Sequence, residues 1–160
     1  MIDSESDRSL AKHKAVELLA RREHTRRELF QKLTDRGFVP DVVEGVIDTL
    51  AQENLQSDER FAELFVEQRI NKGFGKHKIK AELRDRGLES ELARDIMTRV
   101  EVDWVAQAVS VIGRKFGEFD DSFNKKKAMK CKRYLHSRGF NQGHIDQALA
   151  QWMAQSLEQD

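Results

Sequence analysis

The chain has 160 residues, 28 Lys plus Arg against 28 Asp plus Glu, one proline and one cysteine, Cys131, which excludes an intramolecular disulfide framework. Abundant Ala, Leu, Glu, Lys, Gln and Arg with so little proline favours helices. The start, MIDSESDRSL, lacks the basic and apolar stretches of a signal peptide, and no apolar run approaches the roughly 20 residues of a membrane span, so a soluble, cytoplasmic protein is expected.

In chain order, a flexible 1–9 segment is expected to lead into a helix whose apolar face carries Ala15, Val16, Leu18 and Leu19. Thr25 and Glu28 have capping-box spacing, so the next helix starts near Arg26. It stops at Gly37, where glycine enters the left-handed conformation cheaply and Phe38 can make the apolar contact of a Schellman end. Pro40 suits the first turn of a third helix, with Val42, Val43, Val46, Ile47 and Leu50 as its core stripe.

The same three-helix pattern follows twice. After a Ser57 cap, Phe61, Leu64, Phe65 and Val66 mark a helix; Leu83, Arg86, Gly87 and Leu88 close the next; Ser90 is a capping candidate before Leu92, Ile96, Met97 and Val100. Trp104, Val105, Ala108, Val109 and Ile112 then mark a helix, Leu135, Arg138, Gly139 and Phe140 close another, and Asn141 caps a last one bearing Ile145, Leu149, Trp152 and Met153. The joint glycines recur after 50 and then 52 residues, about three helices per period. The predicted fold is all-α: three tandem three-helix repeats (10–54, 55–102, 103–157 and a 158–160 tail) in an elongated, curved array, since one such unit has little core of its own. Trp104 and Trp152 are expected in that core.

Zero net charge conceals segregation. Arg21–Arg36 holds six basic residues against three acids, Arg69–Arg86 seven against two and Ser122–Arg138 seven against none, whereas Asp41–Gln68 holds eight acids and only Arg60. The middle helix of each repeat is therefore basic. Either each run is a solvated face balanced by neighbouring acids, or equivalent helices line one side and attract nucleic acid or an acidic protein.

No catalytic or metal-binding pattern stands out. Gly73-Phe74-Gly75-Lys76 has one residue between its glycines and His77 after its lysine, so a phosphate loop fails and a helix-ending turn is predicted. His13, His24, His77, His136 and His144 show neither HExxH nor zinc spacing and are expected on exposed helix surfaces. Lys130 and Lys132 flank Cys131 and would lower its pKa, yet no His and acid pattern marks it as a nucleophile.

Three stretches together resemble the RecX family: LLARREHTRREL from Leu18, SDERFAELFVEQRINKGFGKHKIKAELRDRGL from Ser57, and KRYLHSRGF before the last helix. The similarity runs from about Lys12 over nearly the whole chain. Asn54 stands where members often have glycine, and asparagine tolerates the left-handed conformation. The resemblance implies a cytoplasmic, monomeric regulator with no reaction and no cofactor of its own, which binds the RecA recombinase filament on DNA and restrains its ATPase, strand exchange and extension. The expected contact set is Arg21, Arg22, Arg26, Arg27, Lys72, Lys76, Lys78, Lys125, Lys126, Lys127, Lys130 and Arg133, with Arg36, Gly37, Arg86, Gly87, Arg138 and Gly139 as structural joints. A direct DNA-binding module and a helical adaptor for another acidic protein are the alternatives.

Overall fold

Thr25 accepts a hydrogen bond from the Glu28 amide at 3.1 Å while the Glu28 carboxylate accepts from the Thr25 amide at 3.1 Å. That capping box starts one of nine α-helices in the computed structural model, which describes residues 4–157. The helices are α1 (Ser4–Arg21), α2 (Arg26–Asp35), α3 (Pro40–Gln52), α4 (Asp58–Asn71), α5 (Lys76–Asp85), α6 (Ser90–Arg99), α7 (Trp104–Phe116), α8 (Lys125–Ser137) and α9 (Gln142–Leu157). No strand occurs among the described residues. Three consecutive three-helix repeats result, as the sequence periodicity predicts. Helix α1 begins at Ser4, inside the expected flexible segment; residues 1–3 and the 158–160 tail lie outside the described residues.

Each middle helix ends in the same Schellman geometry. The Gly37, Gly87 and Gly139 amides reach back to the carbonyls of Thr34, Arg84 and His136 at 3.0 Å, and the following amides reach Leu33, Leu83 and Leu135. All three glycines have φ between +91° and +97°. Gly73 ends α4 likewise at φ +87°, so the Gly-Phe-Gly run is a helix-ending turn, and Asn54 holds its own left-handed turn at φ 61°.

The chain packs as two compact units, Met1–Phe65 with Leu83–Ile96, and Val66–Glu82 with Met97–Asp160. The core of the first includes Ala11, Ala15, Leu18, Leu29, Leu33, Val43, Val46, Ile47 and Leu50. That of the second includes Ala108, Val111, Ile112, Cys131, Leu135, Phe140, Ile145, Ala148, Leu149 and Trp152, with Trp104 packed against it. The repeated leucines Leu33, Leu83 and Leu135 are fully buried, and each stabilises its helix joint by about 2 kcal/mol. In the second unit the segment joining α7 to α8 folds over Trp152, whose indole N–H donates to the Gly117 carbonyl at 3.1 Å and whose ring meets Phe119 edge-on.

Several expectations need correction. Val16 and Leu64 are exposed, because the buried rows run through Ala11, Ala15 and Leu18 and through Phe61, Ala62 and Phe65, which leaves each of them about 100° around the helix from the core. Ser90 is the first helical residue and takes the place Pro40 has in α3, whereas Ser57 and Asn141 do cap, accepting from the Arg60 and His144 amides. Among the described residues, no helix is long and apolar enough to cross a membrane.

Candidate functional site

Both units present the start of a basic helix against the joint of the following repeat, and the chemistry at that contact decides which cations remain available. In the first unit, Thr25, fully buried, uses its hydroxyl twice: it caps α2 and donates to the Arg86 carbonyl at 2.8 Å. Glu28 pairs with Arg22 at 2.8 Å and Arg86 at 3.3 Å. Burial resists ionisation of its carboxyl, but hydrogen bonds from Arg22 and the Thr25 amide, with the charges of Arg22 and Arg86, hold it below the usual carboxylate range. The Arg86 guanidinium also lies 4.9 Å from the Phe65 ring centroid.

His24 contradicts the expectation of an exposed histidine: it is 1% exposed. Its Nδ1 lies 3.0 Å from the Arg22 carbonyl and its Nε2 2.9 Å from Lys32 Nζ. An ammonium can only donate, so Nε2 accepts and the proton sits on Nδ1. Burial pushes the imidazole below its ordinary pKa, against the opposing bond to the Arg22 carbonyl. Gln56 donates to the His24 carbonyl at 3.3 Å and to Asp58 at 2.8 Å, and Asp58 accepts from the Arg26 amide at 2.8 Å.

In the second unit the contact is made with backbone. The Gly75 and His77 amides donate to the Arg138 and Gly139 carbonyls at 2.8 and 2.9 Å. A Cβ on Gly75 would come within 2.5 Å of the Gly139 carbonyl carbon, so glycine here is a matter of close approach. The Phe74 ring receives the guanidinium groups of Arg69 and Arg138, each 4.0 Å from its centroid, and Arg69 pairs with Glu82 at 2.6 Å.

The expected contact residues are thus not equivalent. Arg22 is engaged with Glu28 and Arg26 with Asp48, and the stems of Arg27 and Lys78 pack under Gly87 and Gly139. Arg21, Lys72, Lys76, Lys125, Lys126, Lys130 and Arg133 are exposed, as is Lys127, which donates to Ser122. Asn124 caps α8 by accepting from the Lys127 amide at 3.0 Å, which places Lys125, Lys126 and Lys127 in the first turn, where the helix dipole repels them. A cationic first turn costs stability, and it suits attraction of an anionic partner. Arg36, by contrast, is exposed and a Cβ on Gly37 meets nothing within 4 Å.

Cys131 is 1% exposed, and burial raises its thiol pKa, outweighing Lys127. The lowering expected from Lys130 and Lys132 does not occur because both side chains stand on the exposed face of α8. No group of three or more His, Cys, Asp or Glu among the described residues is placed to hold a metal ion. Sequence pattern does not single out Arg114 and Lys115, because in the last turn of α7 they read simply as cations complementing a helix C-terminus.

The family model described as "RecX, first three-helix domain" matches residues 11–50, and that described as "RecX, second three-helix domain" matches residues 57–97. "Regulatory protein RecX" of Halorhodospira halophila is 43% identical over 136 residues, covering 85% of this chain and 84% of that protein. The chain belongs to the RecX family. Another RecX, from Chromohalobacter salexigens, is 40% identical over 85% of this chain and 88% of its own length. The crystal structure of RecX from Lactobacillus salivarius shares the fold, with a TM-score of 0.80 at 23% identity over 92% of this chain and 97% of that one. RecX relatives carry the name of regulatory proteins, and this chain shares their tandem three-helix construction.

Proposed function

We propose that this RecX-family chain regulates by binding the RecA recombinase filament on DNA and restraining its ATP hydrolysis, strand exchange and extension, with no reaction of its own, in the cytoplasm. The observation that carries the reading is the recurrence of a basic middle helix in all three repeats, each with exposed cations in its first turn or just before it: Arg27 in the first, with Arg21 at the end of α1; Lys76 in the second, with Lys72 just past α4; Lys125 and Lys126 in the third. Cations spread over successive repeats suit a partner that is itself repetitive and anionic. Contacts to adjacent recombinase protomers would alter filament growth without any catalytic group. The test is DNA-dependent ATP hydrolysis by the cognate recombinase with increasing amounts of the chain: a saturable fall is expected, and an unchanged rate would overturn the reading.

A direct DNA-binding module is the second reading, favoured by α8, where Lys125, Lys126, Lys130 and Arg133 are exposed and form no ion pair with a carboxylate among the described residues. It requires tight binding to DNA without recombinase, with a salt slope of about 0.9 per phosphate neutralised. A gel-shift series at several salt concentrations separates the two.

A further inference from the structure

Gly73 ends α4 in the left-handed region at φ +87° and lies at the edge of a cleft of about 220 Å³ lined by Lys72, Val111, Arg114, Lys115, Tyr134 and Arg138. Four of the six lining residues are cations and none is an acid. A Cβ placed on Gly73 would stand 3.0 Å from Val111 Cγ2, 3.2 Å from an Arg138 Nη and 3.4 Å from an Arg114 Nη, so the lack of a side chain at Gly73 is what lets both guanidinium groups approach the same point. Arg138 is held there: it stacks on Phe74 at 4.0 Å and donates to the Lys72 carbonyl. Lys115 Nζ lies 5.5 Å from the Tyr134 centroid, and Phe116 meets Tyr134 edge-on at 5.8 Å, which fixes the wall. No carboxylate among the described residues pairs with any of the four cations, although other cations of the same unit do find acids, such as Arg69 with Glu82 and Lys132 with Asp146.

Like charges converging without a counterion repel one another, and an oxyanion that several donors can share reverses the sign of that interaction. Guanidinium forks match the paired oxygens of a phosphate, the ammonium groups add point charges, and Val111 supplies an apolar floor. We infer that this cleft binds a phosphoryl group, either from a nucleic-acid backbone or from a soluble polyphosphate, through Arg114, Arg138, Lys72 and Lys115. A single carboxylate would leave more of the positive field unmatched. The site does not depend on the recombinase reading, because it is tested with no recombinase present.

The experiment follows the arginine Nε–H resonances of the full chain as it is titrated with sodium pyrophosphate, and separately with a short oligothymidylate, at constant ionic strength. The Arg114 and Arg138 resonances are expected to shift saturably with at least one of the two. Saturation by the oligothymidylate alone assigns the site to a nucleic-acid backbone, and saturation by pyrophosphate assigns it to a soluble polyphosphate. Arg114→Gln with Lys115→Gln, both exposed, should weaken binding about tenfold while the native circular-dichroism spectrum is retained at the titration temperature. Lys12→Gln with Lys14→Gln removes the same charge from α1 and should leave the affinity within about twofold. No saturable shift with either probe, or equal weakening by the two double variants, would overturn the assignment.

Discussion

A Cβ on Gly139 would stand 2.2 Å from the Cβ of Lys78 and 2.6 Å from its amide nitrogen, and one on Gly87 would stand 2.6 Å from the Cβ of Arg27. The two contacts occupy corresponding places in their repeats, within separate units, and both arise where a joint glycine of one repeat meets the first turn of the preceding middle helix. Gly37 has the same conformation and no such neighbour. Alanine substitutions therefore separate two roles of one residue type. Gly37→Ala should cost about 1 kcal/mol, from the left-handed backbone alone. Gly139→Ala should cost about 3 kcal/mol, since its obstruction is backbone and Cβ. Gly87→Ala should fall between, because the Arg27 stem can partly swing away. Urea unfolding of the three variants gives the order; equal costs would refute the close-approach role.

Thr25→Val preserves shape while removing both the α2 cap and the donor to the Arg86 carbonyl. The expected loss is about 2–3 kcal/mol, more than an ordinary capping residue, because a carbonyl is left without its partner as well. Thr25→Ser should recover most of it in the same unfolding measurement.

The His24 ring gives stability a distinct pH dependence. Above the ordinary imidazole value of 6.5, folded and unfolded chains both hold a neutral ring and the group contributes no slope. Below that value the unfolded chain takes up a proton that the folded chain resists, so stability falls as pH falls, until the folded ring also titrates. His144, also held down by burial, acts in the same window, so His24→Gln should reduce the slope below pH 6.5 and not abolish it. Glu28 acts lower: its contribution is present above the ordinary value of 4.5 and is lost as pH falls through its lowered folded value. Chemical unfolding at half-unit pH steps, with and without the His24 substitution, resolves the two windows.

Cys131 should behave as a core residue. A thiol reagent should react with the native chain only as fast as it opens, and the rate should rise with urea. Cys131→Ser should cost about 1–3 kcal/mol by burying a hydroxyl among apolar side chains.

What the sequence made legible was local. Thr25 with Glu28, Gly37 with Phe38, and Asn54 each act through residues within one turn, so their spacing specifies their structure. Val16 and Leu64 misled because a stripe read at spacing 3 and 4 admits adjacent rows, and the small residues Ala11 and Ala62 took the core places. The sequence around His24 gives no sign of its burial, which depends on Lys32 and on the segment at Gln56. The three Arg-Gly joints read alike, yet Arg86 and Arg138 are held by Glu28 and Phe74 while Arg36 is exposed. The cleft at Gly73 was invisible for the same reason: Lys72, Arg114 and Arg138 come from three different helix ends.

Co-sedimentation with recombinase filaments on single-stranded DNA tests the central claim most directly. It compares the wild-type chain with Arg21→Glu, Lys76→Glu and Lys126→Glu, one exposed cation from each repeat, singly and combined. The wild-type chain should bind saturably and more weakly as salt rises, each single reversal should weaken binding a few-fold, and the triple should weaken it by about a hundredfold. Undiminished, salt-independent binding of the triple variant to the filament would contradict the account.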